Sequence, residues 1–364
     1  MALSEGVLIG LGYPLLEIQV DAEKDFIEKY NLKENHLVEG EKIHLHMFNE
    51  LAHIDGVKYI PGGDIQNSLR VFQWIIGSRK RALVIGSIGD DFFGRTLRKR
   101  ATGSGLDVIY ETNKWQKTGT LGVMFIENNR YLCLDYASGP IYGLEQLEKN
   151  ETNSKIMKAQ FFYVSGVLLT TTPETGVLLT TTPETVMKLA EHALITGKNF
   201  IMNFSSIIVP ENHHSEVEII LPYVDILFVN KSEAQAYEYG ADLKEIALDL
   251  ANYEKINKNR ARVVIILHDG YPLFIASEVI ILHDGYPLFI ASEGQLKNFS
   301  IDKEKLPSDE IVDTNGADDA FIGGFLAEYI RGKSLDDAIR CGCYAATIVL
   351  KNEGCTFPDH CAYK

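Results

Sequence analysis

The sequence predicts an α/β protein with a mainly parallel sheet, helices on both of its faces, and a second, smaller sheet. Short β-branched segments alternate with amphipathic segments along most of the chain, a pattern that favours strand-helix-strand units. Two regions depart from this alternation, because strands there follow one another directly. Together these observations indicate one large sheet covered by helices and a small sheet beside it.

The elements follow from these patterns in order. Strands are expected at residues 82–86, 160–164, 199–203 and 225–229, and helices at residues 67–76, 93–103, 186–196 and 319–331. Near residues 14–60 and 117–140 the strands are consecutive, as at 120–126 and 131–136, which an Asn-Asn turn joins. We therefore expect a small antiparallel sheet in those two regions, in the position of a lid.

Composition narrows the class of protein. A chain of 364 residues can form one large α/β domain with an elaboration, or two ordinary domains. Its 46% hydrophobic content is typical of a globular protein, and its net charge of −15 disfavours a nucleic-acid surface, which needs clustered Lys and Arg. The longest apolar runs are too short to cross a membrane, and the first residues lack the basic segment of a secretory signal. Five scattered cysteines indicate reduced thiols.

Two identical tandem duplications interrupt the chain. GVLLTTTPET occupies 166–175 and 176–185, and VIILHDGYPLFIASE occupies 264–278 and 279–293. Two undiverged copies do not make a solenoid, which needs at least three units to bury a core. A recent duplication or a gene-assembly error explains them better. We expect one copy of each pair to be poorly packed.

The segment from Asp313 to Ser334 carries the strongest chemical signal. The turn at Asn315, Gly316 and Ala317 precedes a helix with a broad apolar stripe. A helix start offers backbone N–H groups and the positive end of the dipole, and both favour a phosphate. Asp319 in the first turn can accept a proton from an attacking hydroxyl. The alternative is that Asp318 and Asp319 only complement the helix dipole.

Two further segments add to this one. The pair Gly62-Gly63, followed by Asn67 at a helix start, permits close approach of a ligand to the backbone. The alternative is a tight turn with an Asn cap. Asn230 and Glu233 follow a buried strand, where they can position hydrated Mg²⁺ or simply cap a helix.

These segments resemble a known family. DTNGADDAF at 313–321 resembles the DTNGAGDAF signature of the ribokinase-like, or pfkB, carbohydrate and nucleoside kinases, and NKSE at 230–233 matches its N-x-x-E motif. The glycine pair before Asn67 resembles the first signature of that family. LGYPLLEI, YIPGGDIQNSLRVFQWI, PYVDILFVNKSEA and GCTFP are similar to its adenosine kinases. The resemblance extends from about residue 7 to residue 360.

The resemblance implies a three-layer α/β/α sandwich with a small β-sheet lid, forming one kinase domain over residues 1–364. The lid would comprise residues 14–60 and 117–140. The implied reaction uses ATP and Mg²⁺ to phosphorylate the 5′-hydroxyl of adenosine, giving AMP for purine salvage. The resemblance also implies a monomer in the cytoplasm, or in the nucleus as well, with no nucleic-acid or membrane partner.

The resemblance also assigns roles to residues that match its motifs. Asp319 would be the general base, and the backbone amides of Gly316, Ala317 and Asp318 would form the anion hole. Arg130 would approach the phosphates from the lid, while Asn230 and Glu233 would hold Mg²⁺ through water. The expected nucleoside contacts are Glu17, Gly62, Gly63, Asn67 and Asn315.

Several positions depart from the family pattern. Asp318 replaces a Gly, Asp64 replaces a small residue, Tyr13 replaces an Asn, and Glu17 replaces the ribose-binding Asp. Two like charges about 4 Å apart repel by roughly 4 kcal/mol at an effective dielectric constant of about 20. An isoleucine pair at 207–208 stands where a Pro-Phe pair is usual, so an aromatic face for the base is expected to be missing.

These departures leave three hypotheses open. The first is an adenosine kinase with full or reduced turnover. The second is a nucleoside-binding relative without useful catalysis, because the added carboxylates oppose a triphosphate. The third is a kinase for another nucleoside or sugar, because the substrate contacts have changed.

Overall fold

The structure, a computed structural model, describes residues 3–34, 36–127, 129–136, 143–170, 182–268, 271–277, 288–292, 295–299, 306–307 and 310–363. Its strands, numbered in chain order, are β1 (Leu8–Leu11), β2 (Leu15–Asp21), β3 (Leu37–Glu39), β4 (Lys58–Gly62), β5 (Ala82–Gly89), β6 (Asp107–Asn113), β7 (Thr120–Ile126), β8 (Asn129–Asp135), β9 (Phe161–Ser165), β10 (Asn199–Asn203), β11 (Ile226–Asn230), β12 (Val263–His268), β13 (Tyr271–Ser277), β14 (Leu288–Ser292) and β15 (Gln295–Phe299).

The α-helices are α1 (Lys24–Lys29), α2 (Met47–Leu51), α3 (Asp64–Ile76), α4 (Phe92–Gly103), α5 (Leu144–Glu148), α6 (Asn150–Lys158), α7 (Thr182–Ile195), α8 (Ile208–Asn212), α9 (His214–Ile220), α10 (Lys231–Tyr237), α11 (Leu243–Asn252), α12 (Ala317–Ile330) and α13 (Leu335–Leu350). Short 3₁₀ helices occupy Lys42–His46, Gly166–Thr170 and Leu221–Tyr223. Within the described ranges, no helix is both long enough and apolar enough to cross a membrane.

The main sheet has the order β13-β12-β11-β10-β9-β1-β5-β6. Its neighbouring strands are parallel except for the edge hairpin β12–β13. Side chains of β1 alternate between two cores, since Leu8 packs with Leu69 and Phe321 on one face, and Ile9 packs with Leu189 on the other. Helices α3, α12 and α13 cover the first face, and α7 and α11 cover the second. The three-layer α/β/α prediction is confirmed.

The predicted strands agree with the observed ones to within two residues, although β5 continues to Gly89. The helix starts differ more. Helix α3 begins at Asp64, and its N-cap residue is Gly63, whose φ of 92° lies outside the helical range. Asn67 therefore lies one turn inside the helix, and the alternative that Asn67 caps it is wrong. Helix α12 begins at Ala317 after Gly316, whose φ is 77°.

The second sheet has the order β3-β8-β7-β2-β4 and comes from the two regions predicted for it. It is mixed rather than antiparallel, because β2–β7 and β3–β8 are parallel pairs. Only pairs joined by a hairpin must be antiparallel, as in β7–β8, whereas four strands, including β5 and β6 of the main sheet, lie between β2 and β7 in the chain. Ile126 is the last residue of β7 and pairs with Asn129, the first residue of β8. Glu127, which follows Ile126 in the turn between the two strands, has a positive φ of 54°.

Helix α12 is buried on almost all sides, so the one-sided apolar stripe predicted for it is too narrow a description. Phe325 packs edge-on against Phe228 of β11 at a centroid distance of 5.4 Å. A Cβ atom at Gly323 would lie 2.3 Å from the Ser68 carbonyl oxygen of α3, and one at Gly324 would lie 2.5 Å from the Cys341 carbonyl oxygen of α13. Three neighbours therefore enclose this helix, and the two glycines permit their close approach.

The longer duplication contributes to two different sheets. Its first copy supplies most of β12 and all of β13, which form the edge hairpin of the main sheet. In its second copy β14, with the sequence LFIAS shared with the end of β13, pairs instead with β15. Residues 278–287 lie outside the described residues, so the expected poor packing of one copy stays a prediction.

The shorter duplication is only partly described. Its first copy begins with the 3₁₀ helix Gly166–Thr170, and the end of its second copy begins α7. Helix α7 therefore starts at Thr182, four residues before the predicted start. Residues 171–181 lie outside the described part of the chain.

Deleting residues 279–293 should leave the main sheet intact. The deletion joins Glu278 to Gly294 and recreates the SEGQ connection that now links β14 to β15. Because β13 ends in the same sequence as β14, it can take over the pairing with β15. We expect an unchanged circular dichroism spectrum and a thermal midpoint equal to or above that of the parent chain.

A matched control lacks residues 264–293 and therefore loses the buried side chains Val264–Leu267 of β12. We expect this control to lose cooperative unfolding. If the single-copy deletion behaves like the control, the second copy is an integral part of the fold.

Candidate active site

A cavity of about 430 Å³ lies where three strands of the main sheet end and two helices begin. Ser165, Asn203 and Asn230 reach it from the carboxyl ends of β9, β10 and β11. Asp64 and Asp319 reach it from the first turns of α3 and α12. Ligands of parallel α/β sheets bind at the carboxyl ends of the strands, and this volume suits a small molecule.

Asp319 occupies the first turn of α12, and Asn67 of α3 holds its carboxylate. Asn67 Nδ2 donates a hydrogen bond to Asp319 Oδ2 at 3.0 Å. The residues are 252 positions apart in sequence and meet because α3 and α12 pack closely at Gly323. The structure thus brings the predicted base and a predicted nucleoside contact into direct contact.

Burial raises the pKa of Asp319 well above its usual range, and the charge of Asp64 raises it further. The hydrogen bond from Asn67 acts in the opposite direction, while Asp318 and Glu233 add smaller increases. The carboxyl group is therefore poised to take up a proton. A cation in the cavity would favour its ionised form.

The three residues expected to form the anion hole are not equivalent. Gly316 and Asp318 line the cavity, as does Asn315. Ala317 is buried, and its amide donates to the Thr314 carbonyl oxygen at 3.2 Å. That N–H closes a turn in this structure, and the expected place of the Ala317 amide in the anion hole stays a prediction.

Asp313 connects the small sheet to the start of α12, a role that the sequence did not reveal. Its carboxylate forms an ion pair with Arg130 of β8, which lines the cavity. It also accepts hydrogen bonds at 2.9 Å from the amides of Asn315 and Gly354. Asp313 thereby fixes the turn before α12 and holds Arg130 at the cavity wall. Its position as the first residue of the DTNG motif was the available signal.

Glu17 of β2 lines the cavity although its side chain is almost fully buried. Gln19 Nε2 donates to Glu17 Oε1 at 2.5 Å. Burial raises the pKa of Glu17 to about 7, and the nearby Asp313 contributes in the same direction. A substrate hydroxyl at this position would therefore meet a carboxyl group that changes ionisation near neutral pH.

The glycine pair is divided between two environments. Gly63 lines the cavity, and a Cβ atom there would lie 2.3 Å from the Tyr13 carbonyl oxygen. Gly62 does not line the cavity, because it is the last residue of β4, pairs with Leu15, and accepts a hydrogen bond from Gln66 Nε2 at 2.7 Å. A Cβ atom at Gly62 would lie 3.6 Å from Glu17 Cβ, so Gly62 lies against Glu17, and its expected contact with a nucleoside stays a prediction.

Arg70 is a buried cation that sequence analysis missed. Its guanidinium donates to the carbonyl oxygens of Pro61 at 2.9 Å and Cys355 at 3.1 Å. It also donates to Asn67 Oδ1 at 3.4 Å, which directs the Asn67 amide nitrogen towards Asp319. Arg70 lies one turn after Asn67 on the same face of α3, a helical spacing that could have indicated it.

Asn230 and Glu233 form a capping box at the start of α10. Asn230 Oδ1 accepts from the Glu233 amide and Glu233 Oε2 accepts from the Asn230 amide, both at 2.8 Å. The two residues therefore cap helix α10, as the alternative proposed. Both also line the cavity, so capping does not exclude a role in positioning Mg²⁺. Burial raises the pKa of Glu233 to about 8, with a further contribution from Asp318.

The described residues contain no group of three or more His, Cys, Asp or Glu side chains arranged to hold a metal ion directly. Five carboxylates nevertheless line the cavity, against a single cationic side chain, Arg130, among its described lining residues. The carboxylates are Glu17, Asp64, Glu233, Asp318 and Asp319. A hydrated divalent cation, which needs few direct protein ligands, fits this excess of negative charge.

Two tyrosines supply aromatic faces that the sequence did not predict. The Tyr13 and Tyr136 rings line the cavity with their centroids 6.1 Å apart. Ile207 and Ile208 are about half exposed and do not line it. Aromatic rings from other segments thus line the cavity, and the expectation that the base lacks an aromatic face stays a prediction.

Gly316→Ala should destabilise the protein more than Gly332→Ala, although both residues have φ near 76°. A Cβ atom at Gly332 meets no atom within 4 Å, so that variant carries only the left-handed backbone strain of about 1–2 kcal/mol. A Cβ atom at Gly316 would lie 2.6 Å from Cys355 Cβ, which adds about 1–3 kcal/mol of overpacking. Denaturant unfolding measures both, and equal losses would show that the helix start is not closely packed.

The pfkB family of carbohydrate kinases matches residues 24–361. Adenosine kinase 1 of Arabidopsis thaliana is 32% identical over 360 residues, covering 98% of this chain and 97% of that relative.

Solved structures agree with the family match. Anopheles gambiae adenosine kinase, in complex with P1,P4-di(adenosine-5) tetraphosphate, is 36% identical with a TM-score of 0.81, covering 99% of this chain and 100% of the other. Adenosine kinase from Schistosoma mansoni in complex with adenosine is 29% identical with a TM-score of 0.80, covering 98% of each chain. The chain therefore belongs to the pfkB family of carbohydrate kinases, and within it is similar to adenosine kinases.

Proposed function

We propose that this phosphotransferase moves the γ-phosphoryl group of ATP to the 5′-hydroxyl of adenosine, giving AMP and ADP in purine salvage. The observation that carries the proposal is the buried Asp319 carboxylate at the start of α12, inside a cavity and held by Asn67. Relatives named as adenosine kinases, which align over nearly the whole chain, support the choice of adenosine.

Phosphoryl transfer requires a nucleophile, a base and compensation of phosphate charge. In the proposed step the 5′-oxygen bonds to the γ-phosphorus, its proton passes to Asp319, and the bond from the γ-phosphorus to the ADP oxygen breaks. The amides of Gly316 and Asp318 and the positive end of the α12 dipole would stabilise the transferring phosphoryl group. Arg130, fixed by Asp313, would approach the phosphates from the small sheet.

The raised pKa of Asp319 suits this role. A base is most effective when its pKa lies near the working pH, because it must be ionised before the step and hold the proton afterwards. Burial and the neighbouring carboxylates raise the pKa of Asp319 from its ordinary value, which favours holding the proton after the step. Mg²⁺, when bound through water to Asn230 and Glu233, would neutralise part of the triphosphate charge.

The remaining expected contacts form the nucleoside end of the proposed site. Glu17 would accept hydrogen bonds from the ribose hydroxyls, with Asn67 and Asn315 beside it. Gly63 would permit close approach of the ligand, while Gly62 would act indirectly by placing Glu17. We further propose that residues 14–60 and 117–140 act as the lid of a single kinase domain spanning residues 1–364. A monomer in the cytoplasm, or in the nucleus as well, completes the proposal.

A slow or non-catalytic nucleoside-binding relative is the second candidate. Asp64 and Asp318 add two carboxylates to the cavity, Asp318 at the start of α12 beside the proposed triphosphate path, and both raise the pKa of Asp319. This repulsion would reduce ATP affinity and turnover without preventing nucleoside binding. Calorimetry with adenosine and ATP separates the candidates, since this relative would bind nucleoside without forming AMP.

Asp319→Asn should lower the rate of AMP formation by about 10²–10⁴-fold, because the amide cannot take the hydroxyl proton. The matched control is Asp318→Asn, which removes the same charge one residue away and keeps the backbone amide. We expect that control to be faster than the parent chain, since it relieves repulsion of the triphosphate. Steady-state kinetics with labelled ATP measures both, and an unchanged rate in Asp319→Asn would refute the assigned base.

A further inference from the structure

Two buried polar atoms at the ends of neighbouring strands have no partner in the described structure. Ser165 and Asn203 are register partners at the ends of β9 and β10, and both line the cavity. Their exposed fractions are 1% and 6%, and Ser165 Oγ and Asn203 Oδ1 form no hydrogen bond with any described residue. Buried polar atoms are normally paired, so these positions point to a polar ligand edge.

Asp64 lies beside these two residues. Asn203 Nδ2 donates to Asp64 Oδ2 at 3.1 Å, which fixes the orientation of the carboxylate across 139 residues of sequence. Asp64 is the first residue of α3, directly after Gly63, and lines the same cavity. A carboxylate accepts hydrogen bonds but cannot donate them. A ligand edge placed against Asp64 must therefore supply a donor.

The rest of this wall suits a flat, apolar ring. Tyr13 and Tyr136 present aromatic faces, and Leu15, Leu121 and Val167 add aliphatic surface. The groups that suit a phosphate lie instead at the start of α12. A nucleoside with its reacting hydroxyl near Asp319 would therefore place its base against the tyrosines and aliphatic side chains.

We propose that Asp64, positioned by Asn203, selects the nucleobase by accepting a hydrogen bond from an N–H group on its edge. The favoured substrates are amino-substituted purine nucleosides, and bases that carry only acceptor atoms are disfavoured. This inference rests on the proposed nucleoside kinase function and names its specificity determinant. Asp64 acts as a binding residue, whereas Asn203 is a positioning residue.

The test compares adenosine with purine riboside, whose base lacks the amino group. For the parent chain we expect both affinity and kcat/KM to favour adenosine by about 10- to 100-fold, the effect of one hydrogen bond to a charged group. In Asp64→Asn the ratio should fall several-fold, because the amide can turn its NH₂ group towards a ring acceptor. Asn203→Ala should lower the ratio through KM with little change in kcat.

Asp318→Asn is the matched control, since it removes a carboxylate from the same cavity at the start of α12. We expect it to leave the ratio of the two nucleosides unchanged. Calorimetry without ATP supplies the affinity ratio independently of turnover, and thermal midpoints show whether each variant folds.

The outcomes separate this inference from the function on which it rests. If the parent chain binds and phosphorylates both nucleosides equally, the selection by Asp64 is refuted while the kinase function stands. An adenosine preference that persists unchanged in folded Asp64→Asn also refutes it. If neither nucleoside binds, the proposed function fails, and the inference fails with it.

Discussion

The contact between Asn67 and Asp319 depends on how closely two helices can pack. A side chain at Gly323 would collide with α3, so the glycine allows α12 to approach until the Asn67 amide reaches the Asp319 carboxylate. Arg70 then orients that amide, and Gly316 lets the chain turn sharply into α12 beside Cys355. The packing of α12 against α3 in the core therefore determines the position of the Asp319 carboxylate, and no surface loop is involved in this contact.

Electrostatics is the second constraint on this site. The cavity gathers five carboxylates, and the one cationic side chain in its described lining, Arg130, is already paired with Asp313. Burial raises the pKa of Asp319 and of Glu233, and this excess of negative charge raises both further. A divalent cation and the positive end of α12 would offset it. Asp64 and Asp318, which depart from the family pattern, make that compensation more necessary.

The sequence was sufficient for the fold class, and ten of the twelve predicted site residues line the cavity. Periodicity located the strands of the main sheet, and short motifs indicated Asp319, Asn67 and Glu233, since their chemistry is local. The direction of the strands in the small sheet was not predictable, because β2 and β7 are not joined by a hairpin. The contacts between Asp64 and Asn203 and between Tyr13 and Tyr136 were not predictable either, because they form only when segments far apart in the sequence meet.

The most direct test of the account is a crystal structure of the chain with adenosine, Mg²⁺ and a non-hydrolysable ATP analogue. The account predicts the 5′-hydroxyl oxygen within about 2.6–3.2 Å of an Asp319 carboxylate oxygen. It also predicts terminal phosphate oxygens within about 2.7–3.1 Å of the amides at the start of α12. A complex in which the nucleoside hydroxyl faces away from Asp319, with the phosphates bound elsewhere, would contradict it.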